Sequence, residues 1–200
     1  DAEILSRDEV AKLVPALDCS PQARFPIWGG MIQRRGGTAR HDAVAWGYAR
    51  AADVRGVDII QNCEVTGFTI HQGQVTGVET TRGAIKSNRI GIAVAGHSSI
   101  LAAKAGFRLP VKSYALQAMV SEPLKPVLDN VVLSPATGTY LSQSDKGELV
   151  IGGGLDLYAS YAQRGNLPVN ENTITGMLAM FPTFSRVRML RHWGGVCDVV

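Results

Sequence analysis

The chain has 200 residues, of which 46% are hydrophobic and 18% charged, with a formal net charge of +3 at pH 7. This length and composition fit one globular domain or parts of two. The positive charges are dispersed, which argues against nucleic-acid binding. The sequence shows no secretory signal and no apolar run of about eighteen residues, the length of a membrane helix, so we expect a cytoplasmic protein.

Three cysteines, Cys19, Cys63 and Cys197, are too few and too far apart for a disulfide framework or a zinc site. We therefore expect buried free thiols and no metal. The chain starts with aspartate rather than methionine and stops in an apolar run, which suggests a segment of something longer.

The first half of the chain predicts helices followed by strands. Residues 8–17 have the pattern of a short helix that ends near Pro15, and residues 38–56 have that of a longer helix with Gly56 at its end. Strands are predicted over 57–70 and 74–81. Residues 90–96, IGIAVAG, are continuously apolar, as in a strand covered on both faces.

This order describes half of a nucleotide-binding α/β domain, without its phosphate loop. From residue 109 onward the character changes to alternating strands joined by proline, glycine and aspartate turns. A hairpin is predicted around 144–147, a helix over 170–182, and an extended return strand after it. The predicted fold class is therefore α/β plus α+β.

The segments GGTARHDAVAWGYARAADVRGVDI, CEVTGF, GVETTRG and IAVAGHSS make the sequence similar to the D-amino-acid-oxidase-type family of FAD-dependent oxidoreductases. The resemblance implies an incomplete FAD/NAD(P)-binding, Rossmann-like domain beside a substrate domain with a mixed or antiparallel β-sheet. The implied divisions are an edge of the substrate domain at 1–30, part of the FAD domain at 31–110, the β-rich substrate domain at 111–190, and a return to the FAD domain at 191–200.

Within this family the chain resembles an internal segment of one subunit of the heterotetrameric members. Such proteins oxidise sarcosine, or a similar secondary amine, to glycine on noncovalent FAD. They pass electrons to a covalently held FMN, which reduces oxygen to hydrogen peroxide. The resemblance therefore implies alpha, gamma and delta partner subunits and a small-molecule amine substrate. The family's GxGxxG loop and catalytic lysine have no counterpart in this sequence, so the segment alone is expected to be inactive.

The stretch RRGGTARHD places His41 between Arg40 and Asp42 at the start of a predicted helix. From the residues alone, His41 is either an idle, exposed side chain at a helix end or a functional group. The family resemblance favours covalent attachment of FMN, which needs a neutral imidazole nitrogen. Arg40 disfavours imidazolium and attracts phosphate, and Asp42 is expected to orient the ring.

Further cofactor contacts are implied by the same resemblance. Arg191, beside His192, is expected to contact FMN, with a surface ion pair as the alternative. Val65 matches the position whose main chain binds the adenine of FAD. Ala95 and Gly96 end the predicted buried strand, where open α/β sheets present ligands and where glycine allows close approach.

Tyr140 lies on a strand that faces the flavin in related amine oxidases, so it is expected to border the substrate, although a tyrosine in a sheet is often only structural. Gly154 stands where those relatives have an active-site histidine. Two other functions remain open. The chain is then a non-catalytic β-rich binding module, or part of a related dimethylglycine or glycerol-3-phosphate oxidising enzyme.

Overall fold

The structure is a computed structural model that describes residues 2–200, and the chain divides into two compact units. Unit 1 contains the residues up to Thr38 together with Tyr114–Cys197. Unit 2 contains Ala39–Ser113 and Asp198–Val200.

Both units combine helices with antiparallel sheets. The α-helices of the described chain are α1 (Arg7–Leu13), α2 (His41–Asp53), α3 (Ser98–Lys104) and α4 (Leu167–Met180). Its strands are β1 (Glu3–Ser6), β2 (Gly29–Ile32), β3 (Val65–His71), β4 (Gln74–Thr80), β5 (Gly83–Lys86), β6 (Lys112–Pro123), β7 (Val132–Ser134), β8 (Thr139–Gln143), β9 (Glu148–Ala159) and β10 (Met189–Val199).

Unit 1 is built on a five-stranded sheet with the order β10-β6-β9-β8-β7. Helices α1 and α4 pack on one face of this sheet. Every second side chain of its strands points toward that face. The core of this face contains Leu5, Val10, Val14, Leu17, Leu128, Leu141, Leu149, Ile151, Met177, Met180, Phe181 and Phe184. The predicted hairpin is confirmed, since β8 and β9 pair across a turn in which Gly147 donates its N–H to the Ser144 carbonyl.

Local signals set the ends of the two helices in unit 1. Ser6 and Glu9 form a reciprocal capping box at the start of α1, and the helix ends before Pro15 as predicted. Helix α4 begins at Leu167, three residues before its predicted start. There, Asn166 accepts a hydrogen bond from the Val169 N–H, and a proline occupies the first turn.

A glycine bulge in β9 brings α4 close to the sheet. Gly153 and Gly154 have positive φ angles of 137° and 73°, and the register of β9 against β6 shifts between Leu116 and Ala118. A Cβ on Gly154 would lie 2.7 Å from Val169 Cγ1. Both the backbone conformation of Gly154 and the nearby helix therefore disfavour any residue with a Cβ at this position, including the histidine that the family resemblance leads one to expect.

A polar network ties three strands to the start of α4. The Gln117 side chain donates to the buried Asp156 carboxylate at 2.9 Å and accepts from the Asn166 N–H at 2.9 Å. Next to it, Nδ2 of the buried Asn170 lies 2.6 Å from Nδ1 of His192 on β10. The Asn170 Oδ1 has no hydrogen-bond partner among residues 2–200. Within these residues, the side-chain amide of Asn170 is therefore hydrogen-bonded through Nδ2 to His192.

Unit 2 contains the three-stranded antiparallel sheet β3-β4-β5 and helices α2 and α3. Helix α2 is confirmed, and Gly56 adopts a positive φ of 81° just after its end. The strand predicted over 57–70 begins only at Val65.

The predicted buried strand at 90–96 is wrong. Residues 90–94 form no strand, and Ala95–His97 is a short 3-10 helix. A strand is held by hydrogen bonds to a neighbouring strand, and no strand pair recorded in the described range includes these residues. An apolar sequence alone does not supply that neighbour.

We predict that His192→Ala destabilises the folded subunit. The substitution leaves the buried amide of Asn170 without a partner, so the free energy of unfolding should fall by about 1–3 kcal/mol. Urea denaturation of the subunit that carries this chain measures the change. Leu190→Ala, at a position 64% exposed on the same strand, is the control and should change the value by less than about 0.5 kcal/mol. Equal effects of the two substitutions would contradict the role of His192.

Candidate functional site

The proposed attachment residue, His41, is the first residue of α2, and its side chain is exposed. Arg40 holds the N-cap position in an extended conformation, with φ −72° and ψ 100°. The Arg40 side chain does not cap the helix. The imidazole of His41 is thus accessible at a helix N-terminus, where backbone N–H groups and the helix dipole favour anions.

The side chains beside His41 interact with each other. Arg40 Nη2 donates to Asp42 Oδ2 at 3.2 Å, and the Ala43 N–H donates to Asp42 Oδ1 at 2.9 Å. The bond from Arg40, followed by that from Ala43, holds the pKa of Asp42 below its ordinary value. Both carboxylate oxygens thus accept from donors other than His41, and the orientation of the His41 ring by Asp42 stays a prediction.

The Arg40–Asp42 pair is a weak restraint on Arg40. Both side chains are more than half exposed, at 58% and 53%. Exposed ion pairs contribute about 0–1 kcal/mol, whereas an arginine forms stronger, bidentate bonds with phosphate. Arg40 can therefore exchange the carboxylate of Asp42 for a phosphate group that binds near the helix start.

Ala95 and Gly96 form a tightly held turn in unit 2. Ala95 has a φ of 44°, in the left-handed region that residues with a Cβ rarely adopt. The turn is fixed by Ser98 Oγ, which donates to the Ala95 carbonyl at 2.6 Å, and by Ser113 Oγ, which donates to the Gly96 carbonyl at 2.6 Å. Such backbone strain costs about 1–3 kcal/mol and is concentrated at ligand sites in proteins.

Val65 is the first residue of β3 and is partly exposed. Its carbonyl oxygen accepts a hydrogen bond from Lys104 Nζ at 3.5 Å. Sequence reasoning missed this lysine, which is the last residue of α3. The contact places a positive charge and a main-chain acceptor side by side in unit 2.

Tyr140, on β8 in unit 1, lies on the sheet face opposite α4. Its neighbours Thr139 and Leu141 are buried on the α4 side, so the alternation of the strand turns Tyr140 the other way. Tyr140 is only partly exposed, and burial raises the pKa of its phenol. We call this side of the sheet the open face.

Arg191 and His192 point to opposite sides of β10, as successive residues of a strand do. His192 contacts Asn170 of α4, whereas the Arg191 guanidinium lies 5.6 Å from the ring centroid of Trp193. Trp193 is therefore the contact partner of Arg191 in this structure, and the expected FMN contact of Arg191 stays a prediction.

Trp193 belongs to the open face. A Cβ on the next residue, Gly194, would lie 3.2 Å from the Cβ of Ala115, which is fully buried, so Gly194 and Ala115 share the α4 side. Trp193, one residue earlier, then points to the side of Tyr140. Arg191 lies two residues from Trp193 and shares that side.

The two units divide the predicted site residues. Unit 2 contains Arg40, His41, Val65, Ala95 and Gly96, and unit 1 contains Tyr140 and Arg191. Sequence reasoning missed Gly152, which lies beneath the ring of Tyr140, along with Lys104 and Trp193. For Gly152, the sequence did contain a signal, because a glycine inside a strand often marks the close approach of another group.

A separate apolar cavity of about 690 Å³ lies in unit 1, between β2 and β7. Trp28, Met31, Leu133 and Met180 are among the side chains that line it. Within residues 2–200, its lining includes none of the predicted site residues.

Among residues 2–200, no helix is both long and apolar enough to cross a membrane.

Known proteins resemble this chain over its full length. It is 59% identical over 199 residues to the sarcosine oxidase subunit beta of Rhizobium meliloti (strain 1021). The matched region covers 100% of this chain and 48% of that subunit. It is 48% identical over 198 residues to the sarcosine oxidase subunit beta of Arthrobacter sp, covering 99% of this chain and 49% of that subunit. The chain thus spans about half the length of these relatives.

Solved structures share the fold. L-proline dehydrogenase from P. horikoshii superposes with a TM-score of 0.90 at 24% identity, over 98% of this chain and 52% of that one. Glycine oxidase from Geobacillus kaustophilus gives a TM-score of 0.84 at 19% identity, over 99% of this chain and 51% of that one. These structures confirm the predicted fold class.

The family match is complete over the chain, since residues 1–200 match the family described as FAD dependent oxidoreductase, or DAO. This match and the two subunit relatives confirm the resemblance found in the sequence. The chain belongs to the DAO family of FAD-dependent oxidoreductases.

Proposed function

We propose that the chain is an internal segment of a sarcosine oxidase beta subunit, which oxidatively demethylates sarcosine or a similar secondary amine to glycine. The observation that carries the proposal is the 59% identity, over 199 residues, with a sarcosine oxidase subunit beta. That similarity covers both units of the chain and therefore includes every residue to which we assign a role.

The chemistry that FAD would supply, when bound, is hydride acceptance from the N-methyl carbon of the amine. In this chain, the turn at Ala95 and Gly96 suits a cofactor, because it is rigid and presents little side chain. We assign these two residues to close contact with FAD and the main chain of Val65 to its adenine. The Val65 carbonyl also accepts a long hydrogen bond from Lys104 Nζ, at 3.5 Å, while the pairing of Val65 with Thr80 of β4 holds that strand end.

We further propose that His41 holds FMN covalently through an imidazole nitrogen. The chemistry that an attached FMN would supply is electron transfer from FAD to oxygen, with hydrogen peroxide as the product. The exposure of His41 at the start of α2 supports the proposal, because the reacting nitrogen needs open access. Arg40 supplies a neighbouring positive charge that attracts the phosphate.

Two residues of unit 1 receive roles on the evidence of that unit alone. Arg191 is a proposed FMN contact, since its exposed guanidinium rests against Trp193 and is free to bind an anion. Tyr140 is proposed to border the amine. Its raised pKa keeps the phenol neutral, so it can donate a hydrogen bond over the physiological pH range.

The subunit names of the relatives support an assembly with other chains. We propose alpha, gamma and delta subunits as the partners and the cytoplasm as the location. Large exposed aromatic side chains agree with extensive contacts to other polypeptide, since Trp28 is 91% exposed and Tyr48 78% exposed.

We predict that His41→Asn abolishes covalent flavin while leaving noncovalent FAD in place. Asparagine has no nucleophilic ring nitrogen, so no bond to the flavin can form. The assembled enzyme is precipitated with acid, and visible flavin absorbance is read in the pellet and in the supernatant. His71→Asn, at the exposed last residue of β3, is the matched control and should retain the pellet colour. A coloured pellet from His41→Asn would overturn the attachment site.

We predict that Arg40→Gln weakens FMN incorporation. A charge-assisted bond to phosphate contributes about 1.5–3 kcal/mol, so the FMN concentration needed for half-maximal attachment should rise at least about tenfold. The measurement is acid-stable flavin formed in flavin-depleted cells supplied with increasing riboflavin. Arg50→Gln, an exposed change further along α2, should leave the dependence unaltered. Equal dependence in both variants would exclude Arg40 as a phosphate contact.

A further inference from the structure

A row of residues with little side-chain bulk crosses the open face of unit 1. Gly152 on β9 pairs with Tyr140 on β8 and with Ala118 on β6. Directly opposed residues in neighbouring strands share a face, so Ala118 and Gly152 lie on the same side as Tyr140. Ala118 is only 7% exposed. The centre of the open face is therefore a shallow floor of one glycine and one alanine.

The ring of Tyr140 lies across this floor. A Cβ built on Gly152 would lie 2.6 Å from Tyr140 Cε1 and would overlap Cζ and the hydroxyl oxygen even more closely. Such distances do not occur between real atoms, so a methyl group at position 152 and the present ring position exclude each other. The hydroxyl end of the ring accordingly reaches over β9.

The glycine at 152 has no backbone reason to be there. Gly153 and Gly154 have φ angles of 137° and 73°, which only glycine adopts without strain, but Gly152 is not among the residues with positive φ. Alanine would suit its backbone. A glycine in a strand has no side chain to pack and loses more conformational entropy on folding than alanine does. Gly152 therefore lowers the stability of the strand relative to alanine. The contact that accounts for Gly152 is the ring of Tyr140.

We infer that Gly152 is a positioning residue, which lets the Tyr140 ring lie flat on the sheet and thereby leaves room above it for the N-substituent of the amine. The inference rests on the proposed function for the identity of the substrate. A methyl group at 152 lifts the ring away from the sheet by about the thickness of that group. The space above the open face becomes smaller, and the hydroxyl is displaced.

The first test is kinetic and uses the assembled, flavin-loaded enzyme. Gly152→Ala should raise the KM for sarcosine about tenfold, the usual effect of one methylene in an apolar pocket, with kcat changed by less than about threefold. The KM for N-ethylglycine should rise further than that for sarcosine, because its substituent needs more room. An unchanged preference between the two amines would overturn the inference.

The matched control is the same substitution in a Tyr140→Ala background. Without the ring, a methyl at 152 meets nothing, so Gly152→Ala should have little further effect there. Equal effects in both backgrounds would mean that Gly152 acts without Tyr140, and the inference would fail. If the single variant does not fold but the double variant does, the ring contact is still demonstrated. If neither variant folds, glycine is needed at position 152 for the strand backbone and not for the Tyr140 ring, and the inference is overturned.

A second measurement does not depend on turnover. Burial raises the pKa of the Tyr140 phenol, and a lifted ring is more exposed, so its pKa should move back toward the ordinary tyrosine value in Gly152→Ala. Ultraviolet difference titration, with Tyr140→Phe as the reference for each protein, reports this group alone. An unchanged titration would contradict the inference, whereas absence of sarcosine oxidation with a shifted titration would reject only the proposed function.

Discussion

The close contact between α4 and the glycine bulge of β9 is the constraint on which unit 1 depends. Gly154 on the strand faces Val169 of the helix, and Gly176 on the helix faces Thr139 of β8, where an added Cβ would lie 2.6 Å from Oγ1. Glycines on both elements let the two backbones approach. The α4 side of the sheet is therefore filled, and the proposed site residues of unit 1 lie on the open face.

The same bulge decides which side chains reach that face. Because side chains alternate along a strand, one extra residue reverses their direction. The shift in β9 separates the pair Ala118 and Gly152 from the pair Leu116 and Leu155. Tyr140 and Gly152 lie before the bulge, so their relation is set by the regular ladder, while the buried Asp156 lies after it and faces Gln117.

Elements with short-range signals could be predicted from the sequence. The hairpin at 144–147 and helix α2 depend on turn residues, periodicity and a terminal glycine, all of which are local. The apolar run at 90–96 could not be judged locally, since a strand exists only with a hydrogen-bonded neighbour. Likewise, the exposure of His41 follows from the position of α2, but the partner of Asp42 depends on where the long side chain of Arg40 turns.

The candidate site residues fall into two kinds, which differ in how readily they can be predicted from the sequence. His41 and Tyr140 would act through side chains whose chemistry is evident from residue type. Ala95 and Gly152 would act through shape, one by a left-handed backbone and the other by an absent Cβ. A glycine with positive φ is explained by its own conformation. A strand glycine without it needs a neighbour that occupies the space, so the neighbour is the residue whose position is under constraint.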